Sequence, residues 1–532
     1  MGIVEKVVAW LAQQPIEAYL VGGCVRDLLL NRPIHDLDVV VASGGLGWAR
    51  RLADRFRGTY FALDEERGTG RVILDSGAGR LLVDFSQFRG SDLAADLADR
   101  DFTINALAAD THTPDQVIDQ HRGLADLQTR TIRPVSDLSI RNDPVRALRA
   151  VRQAADLSFT LAPETETLIR RDGAALNLVS SERIRDELAR LLSRADSAPH
   201  LERLDDLGLL TIVLPELEPL RGMAQPPPHH LDALSHSFET IGALEVLLES
   251  WSGAERTREQ QEGIIPLRFA TGTIERQQPL PDTLHPISRT SLSALLPFAE
   301  RLQAHLERTL GDVRPALVVL KLAALLHDVG KPAVRTIDCD SPRSAAEPDD
   351  SWLRFIGHDK RGAAIAGGIL RRLRFNNAEV RLGEGIILHH MRPLLLDDQE
   401  DVTRRAIYRF FRDTREFGVE VLLLALADYR ATVVDDSPCS SQERAGRQDD
   451  GWSRLLALVA RMMGDYWERS AERVAPPPLL DGNDLLREFG LEPGPRIGDL
   501  LDSVREAQAI GEVHTREDAL ALVEHRLLES RN

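Results

Sequence analysis

The chain contains little cysteine and no long apolar run. Its three cysteines, Cys24, Cys339 and Cys439, are too few and too far apart for a disulfide framework, which indicates a reducing compartment. No apolar run reaches the length that spans a bilayer, and the first 20 residues predict an amphipathic helix instead of a signal peptide. These absences exclude the secreted and membrane-spanning classes and predict a soluble cytoplasmic protein.

Basic residues are also in short supply. The sequence has 83 acidic and 65 basic residues, and its net charge of −18 excludes a generally basic nucleic-acid binder while allowing a local basic groove. Only four of the basic residues are lysine, which a coding bias toward arginine explains. At 532 residues the chain is too long for one ordinary core, so its length predicts about three or four domains.

The pattern of secondary-structure signals changes along the chain. Residues 16–41 predict a helix, a strand, a Gly-Gly turn, a second helix and a second strand, and three further strands follow. From about Pro134 the pattern is helical almost throughout, with proline-rich breaks near 223–236 and 474–482. The predicted domains are an α/β head at 1–134, a helical body at 135–222, a second helical domain at 223–473 and a helical tail at 474–532. Polar stretches predict surface insertions or disordered loops at 252–290, 336–352 and 433–451.

Two acidic residues interrupt a strand pattern in "HDLDVVV". Because side chains alternate along a strand, Asp36 and Asp38 point to the same face, and Asp84 in "LLVDFSQF" supplies a third carboxylate nearby. Neighbouring carboxylates repel unless a cation lies between them, and Mg²⁺ or Mn²⁺ prefers such oxygen ligands. An isolated D-x-D is more often a solvated surface pair. Combined with the turn described next, however, it predicts two-metal phosphoryl or nucleotidyl transfer.

A double glycine precedes these acids at a strand-to-helix turn. Gly22 and Gly23 let bare backbone approach a phosphate, and the N-terminus of the following helix favours an anion. Arg26 in the first turn of that helix adds a forked phosphate partner. A tight structural turn is the alternative for the glycines taken alone.

The segment "LVGGCVRDLLLNRPIHDLDVVV" resembles the head motif of class II tRNA nucleotidyltransferases and the related bacterial poly(A) polymerases. Four further motifs follow in the family order: "DRDFTINALA", "GLADLQTRTIR", "NDPVRALRAVR" and "SERIRDEL". The likeness covers about residues 16–220. It implies an α+β protein, with a polymerase-β-like head of mixed sheet and helices followed by an all-helical body that binds the nucleobase and RNA.

The resemblance also implies roles for single residues. The segment "DRDFTINALA" is similar to the ribose-selecting motif, and Arg100, Asp101 and Asn105 stand in its matching places. The resemblance implies that Arg100 binds the triphosphate and that Asn105 contacts the ribose. The segment "NDPVRALRAVR" is similar to the nucleobase-template motif. Its Asp143 and Arg146 lie three residues apart and so on one helix face, where they would hydrogen-bond to the edge of the base, and Arg149 shares that face.

Two positions depart from the family pattern. Asp99 stands where the family usually has arginine, and Asn142 stands where it usually has an acid. Both lie beside the predicted nucleotide contacts, so these departures leave the nucleotide preference open.

A second set of candidate ligands begins with His327 and Asp328 in "LAALLHDVGKP". A lone histidine at a helix end is usually only a satisfied polar residue, but further candidates follow in order: His236, His358, His389, His390 and Asp428. Mixed imidazole and carboxylate ligands suit Mn²⁺, Ni²⁺, Fe²⁺ or Zn²⁺, which acidify water for phosphoester hydrolysis.

This region resembles the HD phosphohydrolase family. The family pattern matches His236, His327, Asp328 and Asp428, while His358 and either His389 or His390 are similar to the additional ligands of two-metal members. Lys331 matches a lysine that would hold a phosphate. Successive side chains point in different directions, so only one of His389 and His390 would be a ligand, and the sequence does not show which.

Taken together, the two resemblances predict a template-independent enzyme that adds CCA, or part of it, to the 3′ end of tRNA from CTP and ATP. Mg²⁺ is the expected cofactor of the head, and a divalent transition metal is expected in the HD domain. The expected partners are tRNA or another RNA 3′ end, and neither DNA nor a membrane. One alternative is a poly(A) polymerase, or an enzyme adding only CC or only A. A second is an HD phosphohydrolase acting on RNA or nucleotide phosphates, with the head as an RNA-binding module.

Overall fold

The computed structural model describes most of the chain, namely residues 2–75, 79–251, 293–311, 314–337, 353–399, 401–432 and 441–529. The predicted insertion at 252–290 lies outside the described residues, as do 338–352 and 433–440 of the other two. A helix begins at Ser441, inside the stretch predicted as a loop, because "SQERAGRQDD" is polar but rich in good helix formers. No helix within the described ranges is long and apolar enough to cross a bilayer.

The described residues fall into two compact units. Of the described residues, the first unit contains 2–191 and 200–213, and the second contains 192–199, 214–251 and those from 293 to 529. The finer division into four domains stays a prediction.

A mixed seven-stranded sheet forms the centre of the first unit. Its strands in spatial order are β3-β4-β5-β2-β1-β6-β7, with β2 and β5 parallel and the other neighbours antiparallel. The strands span β1 Ala18–Val21, β2 Asp36–Val41, β3 Thr59–Asp64, β4 Thr69–Asp75, β5 Arg80–Gln87, β6 Leu107–Asp110 and β7 Val117–Asp119. All five strands expected before residue 90 are therefore present. A small parallel pair, β8 Thr131–Ile132 and β9 Thr160–Leu161, follows.

The helices up to residue 213 agree with the sequence pattern, except that the helix expected at the start of 16–41 is absent, because strand β1 already begins at Ala18. The predicted N-terminal helix ends at Leu11, before Pro15, because proline cannot continue a helix without breaking it. The template-motif helix occupies Val145–Leu157. The bounds are α1 Ile3–Leu11, α2 Gly23–Leu29, α3 Gly45–Phe56, α4 Leu93–Ala98, α5 Gly123–Gln128, α6 Ser139–Asn142, α7 Val145–Leu157, α8 Pro163–Asp172, α9 Ser181–Leu192, α10 Ala198–Asp206 and α11 Leu210–Val213.

In its described residues the second unit is helical, with two short strand pairs. Its helices are α12 Ala233–Trp251, α13 Ala299–Glu307, α14 Ala316–Leu326, α15 Lys331–Val334, α16 His358–Arg372, α17 Asn377–His389, α18 Arg392–Asp397, α19 Arg404–Thr414, α20 Gly418–Thr432, α21 Ser441–Trp467, α22 Gly482–Phe489, α23 Pro495–Ile510 and α24 Arg516–Glu529. The two-residue strands are β10 Thr309–Leu310, β11 Arg314–Pro315, β12 Thr336–Ile337 and β13 Leu353–Arg354. Short 3₁₀ turns occupy Thr103–Asn105, Gly173–Leu178, Pro215–Leu220, Leu296–Phe298 and Arg415–Phe417, and a π turn occupies Ser470–Val474.

Helix α14 is apolar on every side and is buried along its whole length, as expected of a central helix. Its one charged residue, Lys321, donates to Glu245 of α12 at 2.5 Å, and the same carboxylate oxygen accepts from the Ser197 hydroxyl at 2.6 Å. This partnered charge lets α14 remain in the core.

Candidate functional sites: the head acids and a helical metal centre

Three carboxylates share one face of the head sheet. Asp36 and Asp38 lie two residues apart on β2, and Asp84 of the parallel strand β5 is the register partner of Asp38. Asp36 is exposed and Asp38 is partly buried. Burial, reinforced by the neighbouring Asp84 and Asp36 charges, raises the pKa of Asp38 to about 6, although Arg100 opposes the shift. A divalent cation between these groups would relieve the cost of their charges, so the residues fit the expected Mg²⁺.

An arginine that the sequence analysis did not single out holds the third acid. Arg71 on β4 is the register partner of Asp84, and its Nε and Nη2 donate to the two carboxylate oxygens at 2.8 and 2.7 Å. These hydrogen bonds raise the pKa of Arg71 above its usual value. The fork satisfies both oxygens of Asp84, so a metal ion would compete with Arg71 for this carboxylate.

The double-glycine turn is shaped around Arg100. Gly22 has a φ of +75°, and a Cβ atom there would lie 2.6 Å from Nη1 of Arg100. The buried Asp96 accepts from Nε and Nη2 of Arg100 at 3.1 and 2.9 Å. Asp96, which the motif comparison missed, therefore orients Arg100 toward the turn at Gly22 and Gly23.

The predicted ribose contact, Asn105, lies in a buried polar network. Its carbonyl oxygen accepts from Nη1 of Arg26 at 2.7 Å, and its amide nitrogen donates to Asp101 and Gln153, both at 2.9 Å. Burial disfavours the Asp101 carboxylate, but Arg149 and the Asn105 amide hold its pKa below the usual value. The structure thus brings the predicted ribose motif and Arg26 together, and adds Gln153.

In the template motif, Arg146 is buried and its guanidinium is largely occupied. Nη1 donates to the carbonyl of Arg100 and the hydroxyl of Ser139, both at 3.1 Å, and Nη2 donates to the carbonyl of Asp99 at 2.6 Å. Its Nε lies 3.8 Å from Asp143. Asp143 and Arg146 are neighbours as expected, but not on one helix face, because Asp143 precedes α7 and has an extended backbone. Arg146 also ties α7 to the ribose-motif segment.

The two carboxylate oxygens of Asp143 have different surroundings. Its Oδ2 accepts from Arg183 at 2.7 Å, while its buried Oδ1 has no hydrogen-bond partner within the described residues. Arg149 instead pairs with Asp101 at 3.3 Å and with Glu187 at 3.1 Å. The structure therefore separates Arg149 from the Asp143–Arg146 pair.

Six histidine and aspartate residues predicted in the second unit converge, together with His229, which was not predicted. Their ligand atoms form overlapping groups of three, each within 4.8 Å. The groups are His229, His236 and Asp428; His236, His327 and Asp328; and Asp328, His358 and His390. Among the described residues these are the sets that combine such short spacing with three possible ligands, and the head acids do not form one.

Asp328 joins two of these groups. Its Oδ2 lies 3.3 Å from Nε2 of His327, and its Oδ1 lies 3.6 Å from Nε2 of His358. One oxygen therefore faces each group, the arrangement that a carboxylate bridging two ions requires.

The histidines are oriented for metal binding. Nδ1 of His327, His358 and His390 lies 2.7–2.8 Å from a backbone carbonyl three residues earlier, which leaves each Nε2 directed inward. Burial and the neighbouring His327 lower the pKa of His390 to about 4, so it is a neutral imidazole.

His327 shows that the cluster fits a cation. Its buried Nε2 has no hydrogen-bond partner among the described residues. Burial disfavours its imidazolium form, but the carboxylates of Asp328 and Asp428 raise its pKa to about 9. A bound metal ion would supply this positive charge instead.

The adjacent residues His389 and His390 have different positions relative to the cluster. His390 belongs to the cluster, whereas the ring of His389 is half-buried and stacks on Phe417 with centroids 6.1 Å apart. Successive residues near a helix end point about 100° apart, which accounts for the difference.

Lys331 reaches the same centre. Its ammonium donates to Asp328 at 2.6 Å and also to Gln225, and it lies 5.5 Å from the ring centroid of Phe355. Gly330 permits this close turn, because a Cβ there would lie 2.1 Å from the carbonyl oxygen of His358.

Three family models match the chain. One described as a poly A polymerase head domain matches residues 18–133, one described as a probable RNA and SrmB-binding site of polymerase A matches 158–220, and an HD domain matches 296–432. With the three head acids, this order of domains defines an RNA nucleotidyltransferase with a fused HD domain.

Two relatives that match nearly the whole chain are tRNA nucleotidyltransferases. The chain is 35% identical over 515 residues to the A-adding tRNA nucleotidyltransferase of Deinococcus radiodurans, covering 96% of this chain and 95% of that protein. It is 30% identical over 515 residues to the CC-adding tRNA nucleotidyltransferase of Thermus thermophilus, covering 96% and 93%. A solved CCA-adding enzyme in its apo form shares the fold at a TM-score of 0.58 and 17% identity, over 98% and 93% of the two chains. The chain belongs to the tRNA nucleotidyltransferase family.

Proposed function

We propose that this enzyme adds nucleotides to the 3′ end of tRNA without a nucleic-acid template. The observation that carries the proposal is the alignment of Asp36, Asp38 and Asp84 on one sheet face beside the glycine turn. Asp36 and Asp38 would hold Mg²⁺, which supplies the charge needed for attack of the RNA 3′-hydroxyl on the α-phosphate and departure of pyrophosphate.

Other residues of the head would bind and orient the nucleotide. The backbone at Gly23 and the guanidinium of Arg100 would bind the triphosphate, and Arg26 with Asn105 would contact phosphate and ribose. The carboxylate of Asp143 would accept a hydrogen bond from an exocyclic amino group, which both cytosine and adenine carry. Arg146 would rigidify this pocket through its carbonyl contacts.

We further propose that the reaction is addition of the terminal A to a tRNA that ends in CC. The support is that, of two relatives that match over 515 residues, the A-adding one is 35% identical to this chain and the CC-adding one 30%. A multifunctional CCA protein is 41% identical, but over 378 residues. The test is incorporation of labelled ATP and CTP into transcripts that lack A, CA or CCA. One A added only to the CC-ending transcript is the expected result. Addition of CC, of the whole CCA or of a long A tail would overturn the specificity. No addition by folded protein with Mg²⁺ would overturn the activity.

The helical centre favours a second activity, hydrolysis of phosphoesters such as cyclic or terminal phosphates of RNA. Its clustered imidazoles and carboxylates suit Mn²⁺, Ni²⁺, Fe²⁺ or Zn²⁺. Such an ion would lower the pKa of a bound water molecule, so that the water can attack the phosphoester. Lys331 would bind the substrate phosphate from beside Asp328.

Paired variants test whether the two activities have separate sites. Asp36→Ala should abolish incorporation and spare hydrolysis, whereas Asp328→Ala should do the reverse. Loss of both activities in either variant would contradict two independent sites.

A further inference from the structure

His229 lies at the metal centre, although the sequence analysis did not select it and the HD family model matches only from residue 296. It precedes α12 and forms a group with His236 and Asp428, in which the ligand atoms lie within 4.8 Å of one another. His236 and Asp428 are themselves 2.9 Å apart. The side chain of His229 is partly exposed, so it stands at the mouth of the cluster.

The orientation of His229 repeats that of the inner histidines. Its Nδ1 lies 3.1 Å from the carbonyl of Pro226, three residues earlier, just as His327, His358 and His390 use a carbonyl three residues earlier. The backbone N–H of His229 donates to the same carbonyl. This pair of contacts fixes the ring and leaves Nε2 for a ligand.

The imidazole rings also form a continuous series. The ring of His229 lies 5.0 Å from that of His236, centroid to centroid. The spacing continues at 5.3, 5.4 and 5.1 Å along the series His236, His327, His390 and His358. His229 is therefore the outer member of one imidazole array.

The donor count limits what His229 can bind. One imidazole nitrogen ligates one ion, so the two groups that share His236 serve the same ion, and the oxygens of Asp328 divide between that ion and a second. We propose that His229 is a fifth protein ligand of the first ion, together with His236, His327, Asp328 and Asp428. Five nitrogen and oxygen donors plus one open position suit six-coordinate Ni²⁺, Fe²⁺ or Mn²⁺ better than tetrahedral Zn²⁺. The inference rests on the proposed metal centre.

The test is metal binding by the full-length protein, independent of activity. Metal-free wild type, His229→Ala, His230→Ala and Asp328→Ala would be titrated with Ni²⁺ by calorimetry, and circular dichroism would confirm their folding. His230 is the matched control, because it is an exposed neighbour outside every ligand group. We expect His229→Ala to weaken one Ni²⁺ site by about tenfold or more, and His230→Ala to bind as wild type does.

Spectra of the Co²⁺-loaded proteins give a second readout. Loss of a ligand from a six-coordinate ion should intensify the visible absorption of His229→Ala relative to wild type and His230→Ala. The inference is overturned if His229→Ala keeps wild-type affinity and spectrum, including the case where it changes only KM for a phosphoester, which would make His229 a substrate contact. If wild type binds no Ni²⁺ or Co²⁺, or if Asp328→Ala binds them normally, the metal centre itself is refuted.

Discussion

Replacing Asp38 by asparagine should stabilise the metal-free head. Burial raises the pKa of Asp38 from 3.8 to about 6, so the folded protein bears the cost of keeping this carboxylate charged at pH 8. A shift of about two units corresponds to about 3 kcal/mol, which is the ceiling for the gain on removing the charge. The sign follows from linkage: the penalty is complete above about pH 6 and absent below about pH 4, where the group is neutral in both states.

Hydrogen exchange of peptides from β2 and β5, followed by mass spectrometry in EDTA, would measure this gain in the head alone. We expect slower exchange in Asp38→Asn than in wild type at pH 8, no difference near pH 4, and an advantage that Mg²⁺ removes. Asp36→Asn is the control: it should change exchange less, because that carboxylate is exposed and remains hydrated. Equal exchange of Asp38→Asn and wild type at pH 8, or an advantage as large at pH 4, would refute the reasoning.

Three further predictions concern charged side chains with defined partners. Arg71→Ala should lower the Mg²⁺ concentration that half-saturates incorporation, because it frees both oxygens of Asp84; a higher requirement would contradict competition between Arg71 and the metal. Lys321→Met should cost about 3–5 kcal/mol in urea unfolding by leaving the buried Glu245 charge unpaired, and adding Glu245→Gln should recover part of that loss, because the neutral amide oxygen still accepts from Ser197. Asp328→Ala should abolish Ni²⁺ binding at the helical centre, measured by calorimetry, and leave ATP incorporation unchanged, since it removes the carboxylate that faces two of the three ligand groups.

The sequence predicted that Asp36 and Asp38 lie together, because strand periodicity is local. Alternation alone placed Asp36 and Asp38 on one face, and the structure confirms the strand. The partners that hold the site were missed: Arg71 reaches Asp84 only after β4 and β5 pair, and Gln153 reaches Asn105 across 48 residues of chain. No spacing rule in one sequence encodes such contacts.

The helical centre shows the same division. The order of histidines and aspartates predicted a metal site, but one sequence could not choose between His389 and His390. These two side chains point in different directions at the end of α17, and only His390 belongs to a ligand group. His229 was missed because it lies in a proline-rich loop, outside any periodic element.

By itself the sequence determined the elements, the chemical types of the reacting groups and the family resemblance, since these depend on backbone periodicity and on short motifs. Only the tertiary structure decided that Arg71 clamps Asp84, that Arg146 is occupied by backbone carbonyls and that His229 belongs with His236. The physical reason is that hydrogen bonds, pKa shifts and ligand groups depend on distances of a few ångströms, which packing sets between residues far apart in the chain.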